Sequence, residues 1–264
     1  MKPNFKVLLP ILAFGGLLAF WGCQTQIAPL TAYTAPNSAP NYTRVCNFET
    51  AVVGASSDST NSSLFEVGVP GNTVQTAGSW AIINNFPANE NANMFIAAGG
   101  AAGTPQAAHI SGAVTDLGDG TYPSIGFEGY LDTASGAPHN AYNMSFFTGV
   151  KFYVNFMPSD TTPSRFFYIP TTQEAKPPQG DCTAATGCYN YFGYTFPAGS
   201  SNGWKQYSFQ FDKDLVTSYG VKPVPNSLTG VNLTQVLGLL WQVGRQNVAG
   251  VSNVDFYVDE VYFY

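Results

Sequence analysis

Charge is what this chain of 264 residues has least of: Asp, Glu, Lys and Arg make up only 10% of it. The basic share is the smaller part, ten Lys and Arg against sixteen Asp and Glu, for a formal net charge of −6. No basic cluster interrupts the acidic body, which argues against nucleic acid as a partner, because phosphate contacts need Lys and Arg. Histidine is scarcer still, with only His109 and His139. A metal-hydrolase centre wants clustered His, and there is no cluster. His109 sits in a strand-like Ala-Ala-His-Ile-Ser-Gly and His139 follows Pro138 in a loop; no Gly-x-Ser-x-Gly elbow accompanies either. Phosphate loops and dinucleotide fingerprints are missing as well. Glycoside hydrolysis needs only two carboxylates, so sixteen acids keep it open in principle, but no residue has the context to single it out. Helical periodicity is nearly absent. The best candidate is short, Asp212 to Tyr219, where Leu215 and Val216 are the only aliphatic residues.

What is present is apolar and turn-rich. Hydrophobic residues reach 45% and aromatic ones 15%, enough to bury a core, and the 27 Gly and 18 Pro describe many reversals. The chain starts with a short basic stretch, Met1 to Lys6, followed by an apolar run from Val7 to Gly22 broken only by Pro10. This is the layout of a secretory leader, and it is short for a permanent span, which needs about 20 apolar residues. Leu18-Ala19-Phe20-Trp21-Gly22-Cys23 then resembles the lipobox of bacterial lipoproteins, with Phe20 and Trp21 departing from the usual aliphatic and small residues. The resemblance implies acylation of Cys23, removal of residues 1–22, and a lipid-anchored place in the cell envelope. Gln24 is not an acidic retention signal, so the outer membrane is expected over the inner one. The alternatives are an ordinary cleaved signal, with secretion, or an uncleaved anchor. Residues 23–44, with Pro29, Pro36 and Pro40 and no apolar period, read as a flexible tether.

Three cysteines then remain. Cys182 and Cys188 bracket five residues, a spacing that suits a small disulfide-closed loop in an oxidising compartment; a zinc site competes, without a CxxC or a nearby His to support it. Cys46 is left over and reads as a buried small hydrophobe.

From residue 45 to 264 the apolar signal has a period of two. In Ser124–Asp132, alternation puts Ile125, Phe127 and Leu131 on one face and Glu128, Tyr130 and Asp132 on the other. Val150–Phe156, Trp204–Phe211 and Asp255–Phe263 read the same way. Strands with one buried face make antiparallel sandwiches, so the expected fold is all-β, one antiparallel β-sandwich without an internal boundary. Gly99–Gly103 is expected to be a flexible loop. Trp204 and Trp241 read as core, and Trp80 as either core or surface.

Several of these segments, in order, resemble carbohydrate-binding modules with the galactose-binding-like β-jelly roll. They are Val45-Cys46-Asn47-Phe48-Glu49, Thr148–Val154, the Cys-bracketed loop through Gly193, Gly203–Phe209 and Phe256–Val261. The resemblance implies two sheets of about five strands, with the first and last strands side by side. It also implies a structural calcium ion held by Glu49 and Asp259, an arrangement that suits an ion with a taste for hard oxygens. Ordinary solvated edge residues are the alternative, or Asp255 and Glu260 as the acidic partners.

Sugar recognition needs flat rings against pyranose C–H faces, with amides and carboxylates for the hydroxyls. Outward positions supply both, and the expected ligand contacts are Tyr130, Asp132, Tyr153, Tyr168 and Gln242, with Tyr189, Tyr191 and Tyr194 as a rim. The sequence does not say which of these strands share a sheet. The expected function is noncatalytic polysaccharide binding by a lipid-anchored envelope protein, holding glycan for separate degrading enzymes. An adhesive module for protein partners and a glycan-active hydrolase or lyase are the alternatives.

Overall fold

Alternation of apolar and polar side chains, punctuated by Gly and Pro, produces twelve strands in the computed structural model. It describes residues 43–46, 48, 79–84, 90–131, 141–173, 175, 180–182, 188–197, 203–217, 231–245 and 249–264. The strands are β1 (Thr43–Cys46), β2 (Ser79–Asn84), β3 (Glu90–Ala98), β4 (Gln106–Asp116), β5 (Ser124–Tyr130), β6 (Gly149–Phe156), β7 (Ser164–Ile169), β8 (Phe192–Thr195), β9 (Lys205–Gln210), β10 (Val216–Thr217), β11 (Gly238–Gly244) and β12 (Gly250–Phe263).

They form two antiparallel six-stranded sheets. The first runs β3-β4-β12-β6-β9, with β1 also on β12; the second runs β10-β8-β7-β11-β5-β2. The fold is the expected all-β sandwich, with six strands in each sheet among the described residues where about five were expected. The first and last described strands meet as expected: Thr43 pairs with Phe263 and Cys46 with Val261, where β1 takes the edge of β12 that β4 has left. Thr43 and Arg44, assigned above to the tether, belong to this strand.

The inward faces supply one core. On β6, Val150, Phe152, Val154 and Phe156 point in, and on β11 so do Leu239, Trp241 and Val243. Phe152 of the first sheet meets Phe167 and Trp241 of the second at ring-centroid distances of 4.7 and 4.9 Å. Trp80 is fully buried and stacks on Phe127 at 4.6 Å, with Phe48 closing over it at 5.2 Å. Trp80 and Trp241 are therefore core.

Three expectations change. Trp204 is not core but half-buried on the outer side, since it shares parity with the outward Gln206 and Ser208 and not with the buried Tyr207 and Phe209. The described part of the segment expected to be helical, Asp212 to Thr217, is not helical. Lys213 and Asp214 donate to Gln210 O in one turn, Asp214 accepts from Gln210 N, and the chain then enters β10. Gly99–Gly103 holds a 3-10 turn, Ala101–Gly103, hydrogen-bonded to the last strand through Asp259.

Candidate functional site

On β5 the alternation that buries Ile125 and Phe127 sends Glu128 and Tyr130 to the outer face of the second sheet. Register decides what stands beside them. Leu240 of β11 lies between Glu128 and Tyr168 of β7, and Tyr168 is opposite Gly193 of β8. One row along, Gln242 lies between Gly126 and Phe166; one row back, Gly238 faces Tyr130. Three of the five expected ligand residues, Tyr130, Tyr168 and Gln242, thus share one face, together with Glu128 and Phe166.

Glycines shape this face. A Cβ on Gly193 would come within 2.3 Å of the Tyr168 ring, so the tyrosine lies down over β8 only because nothing projects there. A Cβ on Gly238 would stand 3.2 Å from Glu128 Oε1. Phe166 and Tyr168 stack at 5.3 Å and 16°, and Tyr191 tilts against Tyr168 at 6.0 Å. Tyr191 arrives from the disulfide-closed loop: Cys182 and Cys188 are joined, with Cα atoms 5.5 Å apart. The turn after Cys188 carries Tyr189 half-exposed at φ +65°, a left-handed backbone that costs a non-glycine residue energy.

The electrostatics are those of a nearly dry acid. Burial raises the Glu128 carboxyl to about 7, opposed by the hydrogen bond from Tyr130. Burial together with the neighbouring Glu128 charge raises the Tyr130 hydroxyl. Near neutrality the pair therefore offers both a donor and an acceptor beneath a group of rings, which is the chemistry of hydroxyl recognition. Tyr168, Leu240 and Glu128 are buried, whereas Phe166, Gln242, Tyr130 and Tyr191 retain part of their surface. Gln242 donates through Nε2 to Ser124 Oγ, which fixes its amide on the face.

Tyr153 is elsewhere, on the outer face of the first sheet between Asp259 and Gln206. Asp132, Glu49 and Cys23 lie outside the described residues. Phe166, two residues before Tyr168 on β7, reaches the same face by the same alternation.

Asp259 is fully buried, and its oxygens are engaged. Oδ2 accepts from Ala101 N and Thr104 Oγ1, both at 2.7 Å, and Oδ1 from Glu260 N at 2.8 Å. Burial nevertheless pushes its carboxyl up to about 6. Among the described residues no group of three or more His, Cys, Asp or Glu gathers as a metal site. Calcium takes six to eight oxygens, and the described surroundings of Asp259 bring N–H and O–H donors instead, so by themselves they do not fit the ion.

His109 Nε2 lies 2.7 Å from Asp255 Oδ1, and the Ser159 hydroxyl donates to the other carboxylate oxygen. Nucleophilic hydrolysis needs the imidazole between Ser and carboxylate; here the carboxylate stands between them, so His109 does not activate this serine.

No family model and no curated protein matches the chain. Among solved structures it is similar to a family 11 carbohydrate-binding module from Clostridium thermocellum in complex with a β-1,3-1,4-mixed-linked tetrasaccharide. The identity is 14% and the TM-score 0.47, over 86% of this chain and 96% of that one. It is also similar to a structure described for the promiscuous specificity of carbohydrate-binding modules of the β-sandwich superfamily, at 11% identity and TM-score 0.41. That match covers 72% of this chain and 58% of the other. A mannan-recognising module shares 10% identity at TM-score 0.30, over 69% and 86%. Likeness this distant says nothing of what the chain binds; it is a likeness to carbohydrate-binding modules of β-sandwich build.

Proposed function

We propose that the outer face of the second sheet binds a polysaccharide without cleaving it. The observation that carries this reading is the convergence of Tyr130, Tyr168, Gln242, Glu128 and Phe166 on one glycine-hollowed face. Stacked rings meet apolar sugar faces, while an amide and a carboxyl that is partly protonated near neutrality meet hydroxyls. The same reading places the module on the cell envelope through an acylated Cys23, where it holds glycan for separate enzymes. Metabolic fatty-acid labelling that a Cys23→Ser variant abolishes is the expected result for the anchor. A structural calcium ion in this scheme would need oxygens from Glu49 beside Asp259.

Affinity electrophoresis through neutral polysaccharides, including mixed-linkage β-1,3-1,4-glucan and mannan, tests the binding. Retardation by at least one of them is expected, with a Tyr130→Ala, Gln242→Ala double variant retarded less than the parent. A protein that passes every gel unretarded, or a double variant retarded like the parent, overturns the reading. Release of reducing ends from the same polysaccharides would overturn its noncatalytic part.

A further inference from the structure

The outer face of the first sheet carries a second aromatic row, perpendicular to its strands. Register sets Phe95 of β3 beside His109 of β4, His109 beside Tyr257 of β12, and Tyr257 beside Asn155 of β6. Lys205 pairs with Val154, so Trp204, one residue earlier, stands in line with Asn155. The rings follow one another at 4.5 Å from Phe95 to His109, 4.0 Å to Tyr257 and 6.1 Å to Trp204. His109 and Tyr257 are parallel to within 2°, and the rings at either end turn by 75° and 71° against them.

The row is fixed in place. His109 is held by Asp255, Trp204 Nε1 donates to Gly99 O at 3.2 Å, and Gly203 N donates to Asn155 Oδ1 at 3.1 Å. Phe95 is 39% exposed, the largest opening in the line. The flanks are polar: Ser111 and Asp255 along one side, Tyr153 and Gln206 along the other.

We propose that this face is a second binding site, for a neutral polysaccharide chain lying across the strands. A narrow line of rings between polar flanks matches a linear glycan, whose rings offer C–H faces and whose edges offer hydroxyls. A protein partner would want a broader apolar centre, on the order of 800 Å² a side. A formal net charge of −6, with Asp255 beside the row, disfavours acidic glycans. The ligand class follows the proposal for the second sheet, but the residues do not overlap. With two faces on opposite sides of the sandwich, one molecule bridges two chains.

Calorimetry and tryptophan fluorescence with oligosaccharides cut from the retarding polysaccharide test this on the full chain. Trp80 and Trp241 are buried, and a ligand-induced emission change that the Trp204→Ala variant loses reports on Trp204 rather than on Trp21. Two sites per molecule are expected. Phe95→Ala and Trp204→Ala should each weaken one site about tenfold and leave the other, a loss of the size a ring contact carries. Phe95→Tyr should retain binding, and unchanged melting temperatures should accompany the variants. Tyr130→Ala with Gln242→Ala should do the reverse. A single site, abolished by the Tyr130 and Gln242 changes and indifferent to Phe95→Ala and Trp204→Ala, overturns this inference and leaves the first face standing. A single site lost only with Phe95 or Trp204 supports this face and overturns the other. No binding by the parent protein overturns both.

Discussion

Glu128 is a carboxyl on a sheet face that water barely reaches, and its consequence is a pH dependence of stability. Its folded-state value of about 7 lies above the ordinary 4.5. Below 4.5 both folded and unfolded chains hold the proton, and the stabilisation is complete. Between 4.5 and 7 the unfolded chain ionises first, so stability falls as pH rises, by a total of about 3 kcal/mol. Glu128→Gln removes this titration and still accepts from Tyr130. Melts from pH 4 to 8 should show a shallower slope in the variant and a higher Tm than the parent at pH 8. Equal slopes would mean that the carboxyl ionises normally in the folded chain. Asp259, at about 6, acts in the same direction and should leave a residual slope in the variant. Asp259 also decides the question of calcium. Three protein donors already satisfy it, so a chelator should leave Tm unchanged; a clear drop would show that Glu49 and its neighbours complete an oxygen cage there.

At the scale of the element, the 3-10 turn Ala101–Gly103 is tied to β12 by one carboxylate, and Gly100 makes the tie possible. A Cβ on Gly100 would lie 2.2 Å from Gln106 O, 2.3 Å from Thr104 Oγ1 and 2.7 Å from Asp259 Oδ2. Gly100→Ala must therefore move the turn or the aspartate and leave a buried acceptor short of donors. The expected cost is about 1–3 kcal/mol, read as a lower midpoint in urea with an unchanged slope. An unaltered midpoint would show that the turn moves freely off the strand. The sequence showed a glycine-rich loop here and nothing of the anchor, because Asp259 is 158 residues from Ala101. Elements are legible where the cause is local. Alternation in Ser124–Tyr130 named the inward and outward sets correctly, and the same parity, applied to Tyr207 and Phe209, would have put Trp204 outside. Pairing is not local: that Tyr168, Leu240 and Glu128 form one row, while Tyr153 faces the other way, depends on strand order and register.

The described residues of the two sheets share one core, and the two candidate faces are rigid only as far as that core is. Phe152 joins the layers: from the first sheet it reaches Phe167 and Trp241 of the second, while Phe209 beside it lies 5.8 Å away. These rings sit directly behind the strands that carry Tyr168 and Gln242 on their outer side. Apolar content announced such a core, but only the folded arrangement shows that it is shared by both sheets. A shared core makes the sheets interdependent, and unfolding is then expected as one cooperative event. Phe152→Ala opens a cavity at the seam and should cost about 3–5 kcal/mol, lowering Tm by roughly 10 °C for a domain of this size. Because Trp241 borders the cavity, its emission and the far-UV signal should still fall together at the lower temperature. Two separated transitions, in the parent or in the variant, would mean that the sheets fold as independent units. In that case ring packing at the seam would not be what holds the two faces back to back.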